Sequence, residues 1–76
     1  MGKIWTIFGT PTCVWCNRAK EFLTERGEYF DYWNIEQHAS MRYFKEEFPH
    51  AKTVPQIITP DGVKIGGFDA LVDYYK

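Results

Sequence analysis

The chain has 76 residues and a net charge of -1 at pH 7, and 18% of its residues are aromatic. This length predicts one domain over residues 1–76, with a small core that six Phe, five Tyr and three Trp residues help to fill. Because the sequence has neither a basic stripe nor a long apolar segment, neither nucleic acid nor a membrane is expected as a partner.

The first elements along the chain are a predicted strand, a turn and a helix. Residues 4–8 are rich in β-branched and aromatic side chains, and residues 9–12 are turn formers. Residues 17–26 carry charges, with apolar residues at helical spacing. The only two cysteines, Cys13 and Cys16, therefore lie where a helix opens directly after a strand.

This placement of the cysteines predicts redox chemistry. Residues three apart on one helical face have backbones roughly 5 Å apart, so the dithiol and the disulfide can share one backbone. Unpaired amides and the positive end of the helix favour a thiolate at Cys13, which is the expected nucleophile. Cys16 lies one turn further in and is expected to be shielded, which suits a resolving thiol.

Two other roles for the cysteines fit the sequence less well. A structural disulfide needs an oxidising compartment, and two cysteines are few for a disulfide-stapled scaffold. A zinc site needs two further ligands, and the only histidines, His38 and His50, have spacings unlike those of common zinc motifs. We therefore expect no metal site.

The middle of the chain predicts a second strand and a second helix. Gly27 is a natural helix stop, and residues 29–35 form an aromatic-rich strand. The resulting βαβ unit has parallel strands and a right-handed crossover, which puts the cysteines at the carboxyl end of the first strand, where open α/β sheets bind ligands. A helix is predicted from about residue 40 to 48, closed by Pro49, with a core stripe of Met41, Phe44 and Phe48.

The last third of the chain predicts a hairpin and a short helix. Residues 56–59 and 63–65 flank Pro60-Asp61-Gly62, a strong turn pattern. Residues 68–75 then have the spacing of an amphipathic helix. The order βαβαββα predicts an α/β fold with a four-stranded mixed sheet flanked by three helices.

Three motifs in this order resemble the glutaredoxin family of the thioredoxin fold, and the resemblance covers nearly the whole chain. They are Cys13-Val14-Trp15-Cys16, Thr53-Val54-Pro55 and Gly66-Gly67-Phe68-Asp69. The small size and the segment from Pro60 to Asp69 look most like the glutaredoxins of tailed phages.

The resemblance implies a glutathione site, first at Thr53-Val54-Pro55. Family members hold the residue at Pro55 in the cis form, which is accessible for an X-Pro bond. The backbone of Val54 would then pair with the cysteine backbone of glutathione, as in strand addition. The other interpretation of this motif is an ordinary entry into a strand.

The resemblance also implies sites for the two ends of glutathione. The amides of Phe68 and Asp69, next to the permissive Gly67, are expected to hold the γ-glutamyl carboxylate, and Asp69 the ammonium of the same group. Asp69 has a second interpretation as a helix N-cap. In the family pattern, the positions of Arg42 and Lys52 bind the glycine carboxylate of glutathione. The other interpretation of Arg42 and Lys52 is that they are solvated surface charges.

Departures from the family pattern lie around the cysteines and in the last helix. The commonest dithiol motif has Pro at Val14 and Tyr at Trp15, and Thr10 occupies a site that is often Lys or Arg. Ala70 replaces a second Asp of many members, so weaker binding of glutathione is expected. Trp15 either presents an aromatic face to a client or packs over the sheet edge.

The activity implied by the resemblance is thiol–disulfide exchange at Cys13, with Cys16 resolving protein mixed disulfides. Glutathione would be the cosubstrate, with no tightly bound cofactor, and ribonucleotide reductase a client. A cytoplasmic monomer is expected. Two alternatives are a redoxin reduced by thioredoxin reductase and an iron–sulfur cluster carrier that uses Cys13 and glutathione.

Overall fold

A computed structural model describes residues 4–76 and contains four strands and three helices. In chain order these are β1 (Trp5–Gly9), α1 (Val14–Glu25), β2 (Phe30–Asn34), α2 (His38–Glu47), β3 (Gln56–Ile58), β4 (Lys64–Gly66) and α3 (Phe68–Tyr74). The strand order in the sheet is β2-β1-β3-β4, with β1 parallel to β2 and the other pairs antiparallel. The predicted βαβαββα fold with a mixed sheet and three helices is confirmed.

The central strand β1 determines where the core lies. Ile7 pairs with Tyr32 of β2 on one side and with Ile57 of β3 on the other. Successive side chains of a strand point to opposite faces of the sheet, so β1 supplies two separate clusters. Trp5 and Ile7 lie in one cluster and Phe8 lies in the other.

Helices cover the two faces of the sheet unequally. The first cluster joins β1 and β3 to α1 and α3 through Ala19, Leu23 and Leu71. The second joins Phe8 to α2, where its ring lies 4.9 Å from that of Tyr43 and 5.5 Å from that of Phe44. The helix that bears the cysteines therefore shares a face with α3.

Local turn chemistry fixes the ends of the elements. After α1, Gly27 has φ 72°, and the amides of Gly27 and Glu28 donate to Thr24 and Leu23, which is the hydrogen-bond pattern of a Schellman cap. In the β3–β4 hairpin, Gly62 has φ 89°, and the Thr59 hydroxyl accepts from the Val63 amide at 3.1 Å. Both predicted glycine turns are confirmed.

Element boundaries differ from the predicted ones by one or two residues. The first strand extends to Gly9, because the ladder with β2 continues to the Gly9–Asn34 pair. The second helix begins at His38, two residues early, because Asn34 organises the preceding turn: its side chain accepts from Glu36 at 3.0 Å and its carbonyl from Gln37 at 3.1 Å. Within residues 4–76, no helix has the length and apolar character needed to cross a bilayer.

Candidate active site

The two cysteines lie at the start of α1, directly after the turn that follows β1, and both are free thiols. Cys13 is the N-cap of α1, with an extended backbone at φ -82° and ψ 116°. Its sulfur accepts a hydrogen bond from the Cys16 amide at 3.1 Å, so the nucleophile predicted from the sequence also caps the helix. A donor amide aimed at sulfur stabilises negative charge there.

Cys13 is partly exposed and lies beside the segment before β3. Its thiol donates to the Val54 carbonyl at 3.8 Å, and the Val54-Pro55 peptide bond is cis. The predicted cis form of Pro55 is therefore confirmed, and the same segment leads directly into β3. Contact between segments 41 residues apart in sequence brings two of the three predicted motifs together.

Cys16 is fully buried, as the sequence predicted for the second thiol. Burial and the neighbouring Cys13 raise the pKa of its thiol to about 11, although hydrogen bonds with the Thr10 backbone and the Tyr32 hydroxyl act in the opposite direction. At neutral pH Cys16 is thus a protonated thiol in the reduced protein. A role as resolving nucleophile would require its neighbours to support a thiolate.

Two residues around Cys16 were missed by the sequence analysis. A Cβ atom on Gly9 would lie 2.6 Å from Cys16 Sγ and 2.5 Å from Tyr32 Oη, so only glycine fits there without a shift. The Tyr32 hydroxyl donates to the Thr10 carbonyl at 2.9 Å. In the sequence Gly9 belongs to a run of turn formers and Tyr32 to an aromatic-rich strand, and only the structure shows that they meet.

A groove of about 520 Å³ opens beside the cysteines. It contains six of the eight residues predicted to bind glutathione, and Trp15 and Ala70 complete its lining. The six are Thr53, Val54, Pro55, Gly67, Phe68 and Asp69. The motifs of the middle and last thirds of the chain thus form one concave surface next to Cys13.

The α3 end of the groove is built on two glycines. Gly66 has φ 106°, a conformation that favours glycine, and Gly67 is the N-cap of α3. Phe68 and Asp69 are the first two helical residues, whose amides have no partner within a helix. The interpretation of Asp69 as the N-cap is therefore wrong, because the cap lies two residues earlier.

The two predicted cations lie away from this groove lining. Lys52 is exposed and lines an adjacent apolar groove of about 260 Å³ that shares Thr53 and Val54 with the first. Arg42 is an exposed residue of α2 and is not among the residues that line either groove. Their roles remain predictions.

Trp15 is partly packed against a neighbouring helix and partly exposed. Its ring packs on that of Phe68 at 5.5 Å, and the Arg18 guanidinium lies 5.3 Å from the ring centre. Yet 53% of Trp15 is exposed, next to Val14 at 60%. Trp15 therefore packs against α3 rather than over the sheet edge, and it leaves an apolar surface beside Cys13.

The described part of the chain, residues 4–76, contains no cluster of three or more His, Cys, Asp or Glu side chains placed to hold a metal ion. The chemistry of this site is that of two thiols of different exposure on one helix turn. Such a pair on a thioredoxin-like fold defines a thiol–disulfide oxidoreductase.

Comparisons with known proteins identify the family. The glutaredoxin family model matches residues 5–65. The chain is 35% identical over 74 residues to a glutaredoxin of Enterobacteria phage T4, covering 84% of this chain and 85% of that protein. The chain therefore belongs to the glutaredoxin family, whose members are thiol–disulfide oxidoreductases, and it is of the phage type.

Solved structures have the same fold. Glutaredoxin 1 of Francisella tularensis has a TM-score of 0.75 and 29% identity, with 93% of this chain and 90% of that chain covered. A buckwheat glutaredoxin solved with glutathione has a TM-score of 0.78 and 20% identity, with 93% of this chain and 66% of the buckwheat chain covered. At 20% identity, the similarity to the buckwheat protein shows a shared fold.

Proposed function

We propose that the protein is a glutathione-dependent oxidoreductase that reduces protein disulfides and glutathione mixed disulfides. The observation that carries the proposal is the groove beside Cys13, where the cis Val54-Pro55 segment faces the start of α3. Glutathione is a short peptide with a carboxylate at each end and a reactive sulfur in the middle. A groove that combines an extended edge, helix-start amides and a thiol offers a contact for each of these features except the glycine carboxylate.

In the proposed reaction, the Cys13 thiolate attacks a client disulfide or a glutathione mixed disulfide. A bond forms between Cys13 and one sulfur, and the other sulfur leaves as a thiolate. Cys16 then attacks the Cys13 sulfur of a protein mixed disulfide and releases the second client thiol. Two glutathione molecules reduce the resulting Cys13–Cys16 disulfide and become glutathione disulfide.

Glutathione would bind through backbone groups in the middle of the groove. Val54 would pair with its cysteine residue, flanked by Thr53 and Pro55, which places the glutathione sulfur towards Cys13. The contact from the Cys13 thiol to the Val54 carbonyl, at 3.8 Å, supports this choice of edge. The buckwheat glutaredoxin solved with glutathione shares the fold and is consistent with the proposal.

The charged groups at the two ends of glutathione would bind protein groups of opposite charge or polarity. The amides of Phe68 and Asp69 after Gly67 would hold the γ-glutamyl carboxylate, while the Asp69 carboxylate would hold its ammonium. Lys52, next to Thr53 in the chain, is the nearer candidate for the glycine carboxylate, and Arg42 would contribute at longer range. Both are exposed, so each contact would be worth little singly.

The proposed setting is a reducing, glutathione-containing cytoplasm, with the protein acting as a monomer. There the enzyme needs no tightly bound cofactor, because glutathione supplies the electrons. Ribonucleotide reductase, whose active-site disulfide must be reduced in every cycle, is a proposed client. The half-exposed Val14 and Trp15 beside Cys13 offer an apolar surface for a protein client.

The decisive experiment is reduction of a glutathione mixed disulfide with glutathione, glutathione reductase and NADPH. Cys13→Ser should abolish NADPH consumption, whereas Cys16→Ser should keep at least part of it, because the mixed disulfide needs only the first thiol. Reduction of a protein disulfide should require both thiols. No turnover with glutathione, together with rapid reduction by thioredoxin reductase, would replace the proposal by the redoxin alternative.

A further inference from the structure

Tyr32 is a half-buried phenol held beneath the cysteine-bearing turn. It lies on β2 opposite Ile7, and its hydroxyl donates to the Thr10 carbonyl at 2.9 Å. The Lys20 ammonium of α1 lies 4.2 Å from the centre of its ring. Contacts with the turn and with α1 therefore fix the ring on the side of Cys16.

The Tyr32 hydroxyl and the Cys16 thiol share the space left by a glycine. A Cβ atom on Gly9 would meet Tyr32 Oη at 2.5 Å and Cys16 Sγ at 2.6 Å, so both atoms border one point. Cys16 is fully buried, so solvation of a charge on its sulfur must come chiefly from protein groups. Tyr32 is a side-chain hydroxyl in a position to supply it.

We propose that Tyr32 supports the resolving step by donating a hydrogen bond to the Cys16 thiolate. In the dithiol form the hydroxyl donates to Thr10, and when Cys16 gives its proton to water the hydroxyl rotates towards the sulfur. The Cys16–Cys13 bond then forms, the bond from Cys13 to the client sulfur breaks, and that sulfur leaves as a thiolate. The client thiolate takes a proton from water, so Tyr32 keeps its own proton throughout.

The groups that face the phenol keep it protonated. The pKa of Tyr32 is raised, chiefly because burial disfavours the charged phenolate. The negative charges of neighbouring groups raise this pKa further. These neighbours are Cys16, Cys13 and Glu36. A phenol that stays neutral next to a thiolate can act only as a donor, and this hydrogen bond lowers the pKa of Cys16 against the larger effect of burial.

The inference rests on the proposed roles of the two cysteines, and its test isolates the resolving step of Cys16. The reduced protein is mixed with 5,5′-dithiobis(2-nitrobenzoic acid), and release of the coloured nitrothiobenzoate is followed by stopped flow. Attack by Cys13 releases the first equivalent and leaves a mixed disulfide. Attack by Cys16 releases the second, so the second phase measures the resolving step without glutathione.

Tyr32→Phe keeps the ring and removes the hydroxyl. We expect the second phase to be roughly threefold slower near neutral pH, because the loss of thiolate outweighs the gain in nucleophilicity of a more basic sulfur. The pH midpoint of this phase should move upward by roughly one unit. Tyr43→Phe, which makes the same deletion on a ring packed against Phe8 and Trp33, should leave the second phase unchanged.

Each further result supports or overturns one part of the scheme. Cys16→Ser should remove the second phase, and its persistence would overturn the role of Cys16 itself. If Cys16 behaves as proposed but Tyr32→Phe has the wild-type rate and midpoint, the inference about Tyr32 is wrong. Should Tyr32→Phe fail to fold, replacement of Tyr32 alone by 3-fluorotyrosine provides the second test. The more acidic hydroxyl should accelerate the second phase, and an unchanged rate would contradict the proposal.

Discussion

Substitution of Gly9 by alanine should destabilise the protein at its redox site. The added methyl group would lie 2.5 Å from Tyr32 Oη, 2.6 Å from Cys16 Sγ and 3.0 Å from Cys16 Cβ. Gly9 is buried at the end of the central strand, and Cys16 is fully buried on α1. Neither side of the contact can move into solvent without disturbing the strand or the helix.

The expected loss follows from overpacking rather than from backbone strain. Gly9 is not among the glycines with positive φ, so alanine can adopt its backbone conformation. Inserting a methyl group into a packed site typically costs about 1–3 kcal/mol. For a domain of this size each kcal/mol corresponds to roughly 4–8 °C in Tm, so a fall of about 10 °C is expected.

Urea unfolding followed by tryptophan fluorescence would measure the change. Gly67→Ala is the matched control for stability, because its Cβ would lie 3.6 Å from the Pro55 carbonyl, an ordinary van der Waals contact. We expect this control to lose no more than about 1 kcal/mol, because Gly67 is the N-cap of α3, where alanine is less favourable than glycine. A Gly9→Ala protein as stable as the control would refute the packing argument.

A double-mutant cycle would identify the contact responsible. Tyr32→Phe removes the oxygen that the methyl group meets, so Gly9→Ala should be less damaging in that background. Residues in direct contact typically couple by about 0.5–3 kcal/mol. Additive effects of the two substitutions would show that the hydroxyl gives way without cost and that Cys16 alone carries the clash.

Three other results are expected. Gly27→Ala should lower the free energy of unfolding in urea by about 1–2 kcal/mol, because Gly27 has φ 72° at the end of α1. No atom lies within 4 Å of the added Cβ, so the loss would come from the backbone conformation alone. An unchanged stability would mean that the end of α1 adopts another backbone conformation. Phe8→Ala should cost about 3–5 kcal/mol, since Phe8 is fully buried among the aromatic residues of α2, and a loss below about 1 kcal/mol would contradict that packing. The pKa of Cys16 is raised from 9.0 to about 11, so its stabilising contribution is complete below about pH 9 and is lost as the pH rises towards about 11. Between about pH 9 and 10, below the ordinary pKa of tyrosine, urea unfolding should show this decline at up to about 1.4 kcal/mol per pH unit, and Cys16→Ser should lack it in this interval.

Patterns within one element predicted the fold well. The β-branched and aromatic run of β1, the stripe of α2 and the glycine turns at Gly27 and Gly62 each depend on neighbours close in sequence, and the structure has them all. Boundaries were less accurate where a side chain organised a turn, as Asn34 does before α2. Family resemblance, rather than periodicity, predicted the cis bond at Pro55.

The environment of Cys16 could not be predicted because it depends on sheet register. Gly9 and Tyr32 are 23 positions apart, and neither a glycine after a predicted strand nor a tyrosine in an aromatic-rich strand indicates contact with the other. Only the parallel pairing of Ile7 with Tyr32 brings the phenol under the turn. The position of the α3 cap was likewise misjudged, because an acidic residue and a glycine are both common at helix starts and Gly67 takes the cap.

The capping role of the Cys13 sulfur links the winding of α1 to the oxidation state of the protein. In the reduced protein this sulfur accepts a hydrogen bond from the Cys16 amide at 3.1 Å, and as a thiolate it would accept more strongly than the neutral sulfur of a disulfide. A cap that is stronger by about 1 kcal/mol in the reduced state shifts the equilibrium towards that state. The corresponding change in reduction potential is about 20 mV, in the direction of a stronger oxidant. Amide hydrogen exchange in the first turn of α1 should therefore be faster after oxidation, so that the same turn that carries the chemistry also reports its progress.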